Sequence, residues 1–410
     1  MSNEKEKPGS LIGGILLIAG SCIGAGMLAL PITTGLSGFF PSLVMFLCAW
    51  IFMTLTGLLL VEVNGWFQER VNIVSMAGHA LGRLGRSLSW ILYLFLFYSL
   101  LVAYISGSGN LSSTFLSYLF KWNIPIWIGS LFFVVLFGYI VYLGTRPVDL
   151  WNRVLMVGKI VSYLGMVFLG VKFINHHLLL RTQPSYALFS LPVLIISFGF
   201  HNMIPSLTAY MKGDLKRVKQ TILGGSFFAL VVYLIWQLIV LGIVPMEGPS
   251  GIVESLKKDR EASQSLAGIL GSSWVSNFAQ ALAFFAILTS FLAQSLSLVH
   301  FLADGLKVKH STRENKMICL LALAPPLILS LIYPQLFFKA LNFAGGVCAV
   351  ILFGILPATM VWIGRYWKKI EAPYQVKGGK VLLIGIFLFS LFVLFFQLSS
   401  MFNADYIPKP

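Results

Sequence analysis

Two short polar stretches interrupt long apolar runs in this chain, and their residue types suit binding rather than bond-breaking. The first is Gly20-Ser21-Cys22-Ile23-Gly24-Ala25-Gly26, followed by Pro31. The second is Ser197-Phe198-Gly199-Phe200-His201-Asn202, followed by Pro205. Glycine weakens a helix interior by ~1 kcal/mol against alanine, and proline removes a backbone donor and frees the carbonyls before it. Gly20, Gly24 and Gly26 share no single helical face, so helix packing accounts for them less well than an unwound stretch does. Unwound backbone offers N–H groups to a carboxylate and carbonyls to an ammonium. Two such stretches together make a receptor for an amino acid backbone. On this reading Ser21, Gly24 and Gly26 give N–H groups to the carboxylate, with Gly20, Cys22 and Ala25 completing the stretch. Ser197 and Phe198 turn carbonyls to the ammonium, while Phe200 and Tyr104 wall the side chain.

Two ionisable residues sit at depth in apolar runs, where such groups are costly and point to function. His201 lies at the second stretch; it could bond a solute, gate it or accept a proton, or be satisfied by neighbouring carbonyls. Lys159 lies ~9 Å along its helix from Arg153, and snorkelling to the interface is its alternative role. Glu62 closes an apolar run near the interface and reads as a solvated carboxylate. His176 and His177 adjoin in a loop without a nearby carboxylate in sequence.

These residues need elements that live in lipid. The chain has 410 residues, of which 58% are hydrophobic and 10% charged, with mean hydropathy +0.87. A soluble surface requires about a quarter charged residues. Eleven runs have the length of a membrane span, about 20 residues: 11–34, 39–61, 88–115, 124–144, 153–173, 187–210, 221–244, 273–303, 316–333, 335–363 and 380–402. Residues 1–10 are short and mixed in charge, and the run after them reads as the first span rather than a cleaved signal. Cys22, Cys48, Cys319 and Cys348 all lie in apolar runs with no CxxC pair, which suits packing rather than metal or disulfide.

The net charge of +15 forms no nucleic-acid patch, because the bases cluster between apolar runs. With the N-terminus cytoplasmic, twenty Lys and Arg fall in inside segments and eight outside; Lys159, within the fifth run, completes the 29. The bases assigned inside include Lys5, Lys7, Arg70, Lys309 and Arg313; Lys409 is assigned outside. Dropping one span would erase the asymmetry. Segment 62–87 carries an amphipathic stretch at 73–84, and segment 245–272 carries the charge run 254–261; both are expected to be surface helices or solvated loops. The two polar stretches fall in runs 1 and 6. A five-span offset inverts the second copy, the arrangement in which paired broken helices mark a transporter site.

The residues from Gly20 to Pro31 resemble the first-span signature of the bacterial aromatic amino acid permeases, the tyrosine- and tryptophan-specific proton symporters. Ser197-Phe198-Gly199-Phe200-His201 with Ile204-Pro205-Ser206 resembles their sixth-span motif. Thr289-Ser290-Phe291-Leu292 and Leu302-Ala303-Asp304-Gly305-Leu306 resemble the eighth span and its end. Cys22 stands where threonine is more usual and Asn202 where glycine is, which bears on side-chain preference. The resemblance implies an all-α integral membrane protein of the LeuT-like fold, one membrane domain over 1–410. It implies inverted repeats at about 11–175 and 187–363 and an eleventh helix at about 380–402. It also implies import of tyrosine or tryptophan across the bacterial inner membrane by proton symport, with no cofactor beyond the proton gradient. LeuT-like carriers hold a sodium ion between spans 1, 5 and 8, and some proton-driven relatives place a span-5 lysine there. Lys159, the carbonyls around Gly20 and Ile23, and the hydroxyls of Thr289 and Ser290 match that arrangement. The implied partners are the aromatic amino acid and membrane lipid, with no nucleic acid. A sodium-coupled carrier of another neutral amino acid is the alternative. No filter-ring motif suggests a channel, and no cluster of acids, histidines or nucleophile at one face suggests an enzyme.

The charge asymmetry yields a test of topology. Single cysteines at Lys216 and Lys369 should react with impermeant thiol reagents only from the cytoplasm, and one at Lys257 only from outside. Labelling at Lys257→Cys from the cytoplasm would contradict the span count.

Overall fold

The computed structural model describes residues 8–67, 71–271, 273–307 and 312–402. Lys5, Lys7, Arg70, Lys309 and Lys409 of the charge pattern, and the side chain of Arg313, lie outside the described residues. The described chain is helical, and every apolar run coincides with a helix or helix series. The first run is a bent pair, α1 (Leu11–Cys22) and α2 (Gly26–Gly35), set at 58°. Then come α3 (Phe39–Asn64), α4 (Ile73–Phe120), α5 (Ile126–Tyr142), α6 (Thr145–Gly170) and the single turn α7 (His176–Leu179). The sixth run is α8 (Leu191–Ser197) and α9 (Ile204–Tyr210), with a 3-10 turn at His201–Met203 between them. After α10 (Leu215–Ile243), two short helices, α11 (Ile252–Lys257) and α12 (Ala262–Leu270), precede α13 (Trp274–Gly305) and α14 (Thr312–Ile332). The tenth run is α15 (Phe337–Phe343), a π-helical stretch Ala344–Ile355, α16 (Leu356–Trp362) and a second π turn Ile363–Trp367; α17 (Gly379–Phe402) ends the series. Among the described residues, eight helices are long and apolar enough to cross a membrane, nine if the bent pair counts as one. Ile126–Tyr142 and Lys316–Ile332 are apolar but shorter.

Local signals place the helix starts. Ser10, Asn72, Asp214 and Ser273 each accept a backbone N–H of the first turn, answering donors that have no partner within the helix. The amphipathic stretch after Asn72 is helical and joins the third run across a break at Gly82, whose φ of 72° suits glycine. Hydrophobic side chains face outward on α5, α6 and α17, with Phe168 84% and Phe395 72% exposed, as lipid-facing surfaces require. Buried residues form one core, in which α13 packs along α6, α4 along α5 and α1 along α10.

Residues 245–271 do not form a solvated loop. Ile252, Val253, Ala262 and Leu266 are buried, and Asp259 accepts the N–H groups of Phe337 (2.7 Å) and Phe338 (3.0 Å), capping α15. Burial pushes the Asp259 carboxyl up from its ordinary value and that of Glu261 up to about 7.

Glu62 also departs from the sequence reading. It is fully buried rather than solvated. The Arg365 guanidinium pairs with it through both oxygens at 2.5 and 2.6 Å, and Val376 N–H adds a third bond at 2.8 Å. The arginine lies some 300 residues downstream, beyond any local sequence signal. Removing one member of a buried pair strands the other, at ~3–5 kcal/mol, whereas an apolar replacement of both is far milder. Arg365→Met should therefore lower the melting temperature in detergent more than Glu62→Leu combined with Arg365→Met. Equal losses would show that the pair carries no such burden.

Candidate functional site

The first break spans residues 23–25. Ile23 N–H still reaches Ala19 O at 2.8 Å, but Gly24 N–H turns back to Cys22 O at 2.8 Å. Three side chains from elsewhere meet this irregular backbone. The Lys159 ammonium, from α6, donates to Ile23 O at 2.7 Å. Ser290 Oγ, from α13, accepts Ala25 N–H at 3.0 Å, and its hydroxyl also pairs with that of Tyr104. The Tyr233 hydroxyl, from α10, lies 2.5 Å from Cys22 O. The glycines serve two purposes here. A Cβ on Gly24 would stand 2.6 Å from Ser290 Oγ, and one on Gly26 2.8 Å from Ser197 Oγ, so the unwound stretch is also a close packing contact. A Cβ on Gly20 would make only an ordinary contact, with Met156 Cε at 3.6 Å.

The second break follows Ser197. Phe198, Gly199 and Phe200 close short turns onto Leu194, Ile196 and Phe198 carbonyls, and the 3-10 turn leads into α9. Pro205 stands at the start of α9, where its missing N–H costs nothing, rather than kinking a continuous helix. Ser197 O lies 2.8 Å from the same Tyr233 hydroxyl.

Both breaks border one cavity of about 1030 Å³. Its lining includes exposed Asn72, Asp149, His300 and Asp304, near the start of α4, the start of α6 and the end of α13. Its other end lies among buried Leu100, Tyr104, Leu341 and Phe353. Gly20, Ser21, Cys22, Gly24, Ala25, Gly26, Tyr104, Ser197, Lys159, Thr289 and Ser290 all border it. Lys159 is 4% exposed and has no carboxylate partner among the described residues.

The remaining expected residues are placed as follows. Ser21 lies within α1, so its N–H belongs to the helix and its exposed side chain is what faces the cavity. The Thr289 hydroxyl donates to Phe285 O (2.8 Å) or Ala286 O (3.2 Å) of its own helix. Phe198, Phe200 and His201 are fully buried and do not border the cavity. Phe198 packs edge-on against Tyr233 at 5.2 Å. His201 lies stacked between Phe200 (4.9 Å) and Phe353 (4.6 Å), with Nε2 3.0 Å from Thr56 Oγ1. Beside Tyr104, aromatic character at the cavity comes from Tyr93, Phe97, Phe301 and Phe353; the Tyr93 ring lies 6.1–6.4 Å from the other three and Phe97 5.5 Å from Phe301. Sequence reasoning passed over these rings because phenylalanine is abundant, 34 in the chain. It passed over Tyr233 too, a hydroxyl in an apolar run being the only available signal.

The spacing at the glycines gives a graded expectation. Gly24→Val and Gly26→Val should abolish uptake while the protein still inserts, and Gly20→Ala should retain it. Uptake by the two valine variants at unmodified rates would contradict the close approach.

Comparison with known proteins places this geometry. The sequence profile of the tryptophan/tyrosine permease family matches residues 7–397. The chain is 33% identical to the "Tyrosine-specific transport system 1" of Haemophilus influenzae, covering 97% of this chain and 98% of that protein. It is 32% identical to the "Tryptophan-specific transport protein" of the same organism, covering 97% of each. It is 29% identical to the "Low affinity tryptophan permease" of Escherichia coli K12 over the full length of both. Among solved structures, that of MhsT in complex with L-phenylalanine is similar, with a TM-score of 0.67 over 97% of this chain and all of the other, at 14% identity. That likeness gives the LeuT-like fold. On the profile match and the full-length relatives, this chain belongs to the tryptophan/tyrosine permease family.

Proposed function

We propose that the protein imports tyrosine or tryptophan across the bacterial inner membrane by proton symport with alternating access. The observation that carries this reading is the meeting of two broken helices at one cavity, with a buried ammonium bonded to a carbonyl of the first break. The amino acid backbone binds between the breaks. Gly24 N–H and Ala25 N–H are already bonded to Cys22 O and Ser290 Oγ, so its carboxylate faces the Gly26 N–H at the start of α2, and its ammonium uses the remaining lone pair of Ser197 O. The ring extends toward the aromatic group around Phe97 and Phe353. Relatives named for tyrosine and for tryptophan support the substrate class.

Eleven crossings with a cytoplasmic N-terminus follow from the charge asymmetry, with inverted repeats at about 11–175 and 187–363 and an additional helix at about 380–402. In that orientation the open face is cytoplasmic, and the state is inward-open. Lys159 couples the proton. As an ammonium it joins α6 to the end of α1; deprotonated, it has no net charge to hold the Ile23 carbonyl, and the helices are free to part. It borders the same cavity as the substrate, so both leave to the same side. No metal or organic cofactor takes part.

Reconstituted vesicles test this directly. The unmodified protein should concentrate labelled tyrosine or tryptophan on an imposed pH gradient and show no requirement for sodium. Lys159→Ala should lose concentrative uptake while still binding substrate. Accumulation by Lys159→Ala on a proton gradient alone would rule out its coupling role.

A further inference from the structure

Cys22 O belongs to the last residue of α1 and Ser197 O to the last residue of α8. Each helix end carries a partial negative charge of ~0.5 elementary charge. Inside a membrane protein, two such ends placed close together repel, and a carbonyl without a donor is costly. One hydroxyl proton is shared between the two in a three-centre bond, beside the Gly24 N–H that Cys22 O already accepts. Tyr233 Oη lies 2.5 Å from Cys22 O and 2.8 Å from Ser197 O. Tyr233 is fully buried and does not border the cavity, so its hydroxyl reaches the breaks from behind. Its ring is fixed edge-on against Phe198 at 5.2 Å. One turn further along α10, Trp236 Nε1 donates to Met27 O at 2.9 Å and Gln237 Nε2 to Thr34 Oγ1 at 2.6 Å. Three donors from one helix thus meet the bent pair, and one of them also meets the second break.

We infer that Tyr233 is a positioning residue whose hydroxyl sets the separation of the two breaks before the amino acid arrives. This rests on the reading that the breaks bind the amino acid backbone. Tyr233 takes one lone pair of Ser197 O and leaves the other for the substrate ammonium. Without the hydroxyl the two carbonyl ends relax apart, and binding must draw them together again. The clamp also makes the breaks and α10 one body, so neither break shifts without the other.

Equilibrium binding of labelled tryptophan and tyrosine to purified protein tests the inference. Tyr233→Phe should raise Kd about tenfold or more for both ligands, with the number of sites per chain unchanged. Tyr163→Phe serves as the control, since its hydroxyl donates to Val232 O on α10 at 2.9 Å and touches neither break; its Kd should stay within about twofold of the unmodified protein. An unchanged Kd in Tyr233→Phe, or fewer sites at unchanged Kd, would make the tyrosine merely structural and overturn the inference. So would an equal loss in Tyr163→Phe. A second measurement needs no variant. Amide exchange at Ile23 and Met27, whose N–H groups are bonded within the chain, should already be slow in the unmodified protein without ligand; fast exchange there that slows only on binding would contradict a preset clamp. If the unmodified protein binds neither amino acid, the transport reading fails and the clamp with it; if it binds and Tyr233→Phe binds equally well, the clamp alone fails.

Discussion

A carbonyl or N–H in the hydrocarbon region has no water to bond, so each departure from helical pairing must be answered within the protein. The site is organised around that constraint. At the first break Lys159 answers Ile23 O, Tyr233 adds to the Gly24 N–H already at Cys22 O, Trp236 answers Met27 O, and Ser290 answers Ala25 N–H. These side chains come from α6, α10 and α13, not from the broken helices themselves. The irregular backbone is therefore held by three neighbouring helices, and a change in any of those contacts is felt at the binding site. Proton coupling fits this frame, because one of the answering groups is an ammonium whose donor strength depends on its charge.

The same constraint governs which face opens. At the face where the cavity emerges, α3 and the tenth run are tied by Glu62 and Arg365, with Val376 joining the network through both its N–H and its carbonyl. On the opposite side, Asp259 caps α15 and buries the inner face of α11 and α12 against the bundle. The far side is closed by backbone capping and packing, whereas the near side is held by a charged pair beside an open path. Alternating access then requires the capping contacts on the far side to yield while the paired breaks move as a unit.

The breaks were legible in the sequence because they are made of local exceptions: glycines in a span and a proline after Asn202 have few other uses in lipid. Lys159 was legible for the same reason, a charge at depth. What answers the breaks was not, since Tyr233 and Trp236 lie in an ordinary apolar run and their partners are more than 30 residues away. Glu62 was misread because burial depends on Arg365, far along the chain. Phe198, Phe200 and His201 lie at the break in sequence but point behind it, and one residue's rotation in an irregular turn decides that. The π-helical turns around Phe353 leave no compositional mark.

The central claim is that the two breaks together recognise the charged backbone of an amino acid. Competition against labelled tryptophan with backbone-edited analogues tests it most directly. Tryptamine lacks the carboxylate and indole-3-propionate lacks the ammonium, while both keep the ring. The account predicts that each competes at least about a hundredfold more weakly than tryptophan, since each leaves one set of buried backbone groups without its charged partner. Competition by either analogue at the strength of tryptophan itself would mean that the ring alone is recognised, and that the breaks do something other than bind the backbone.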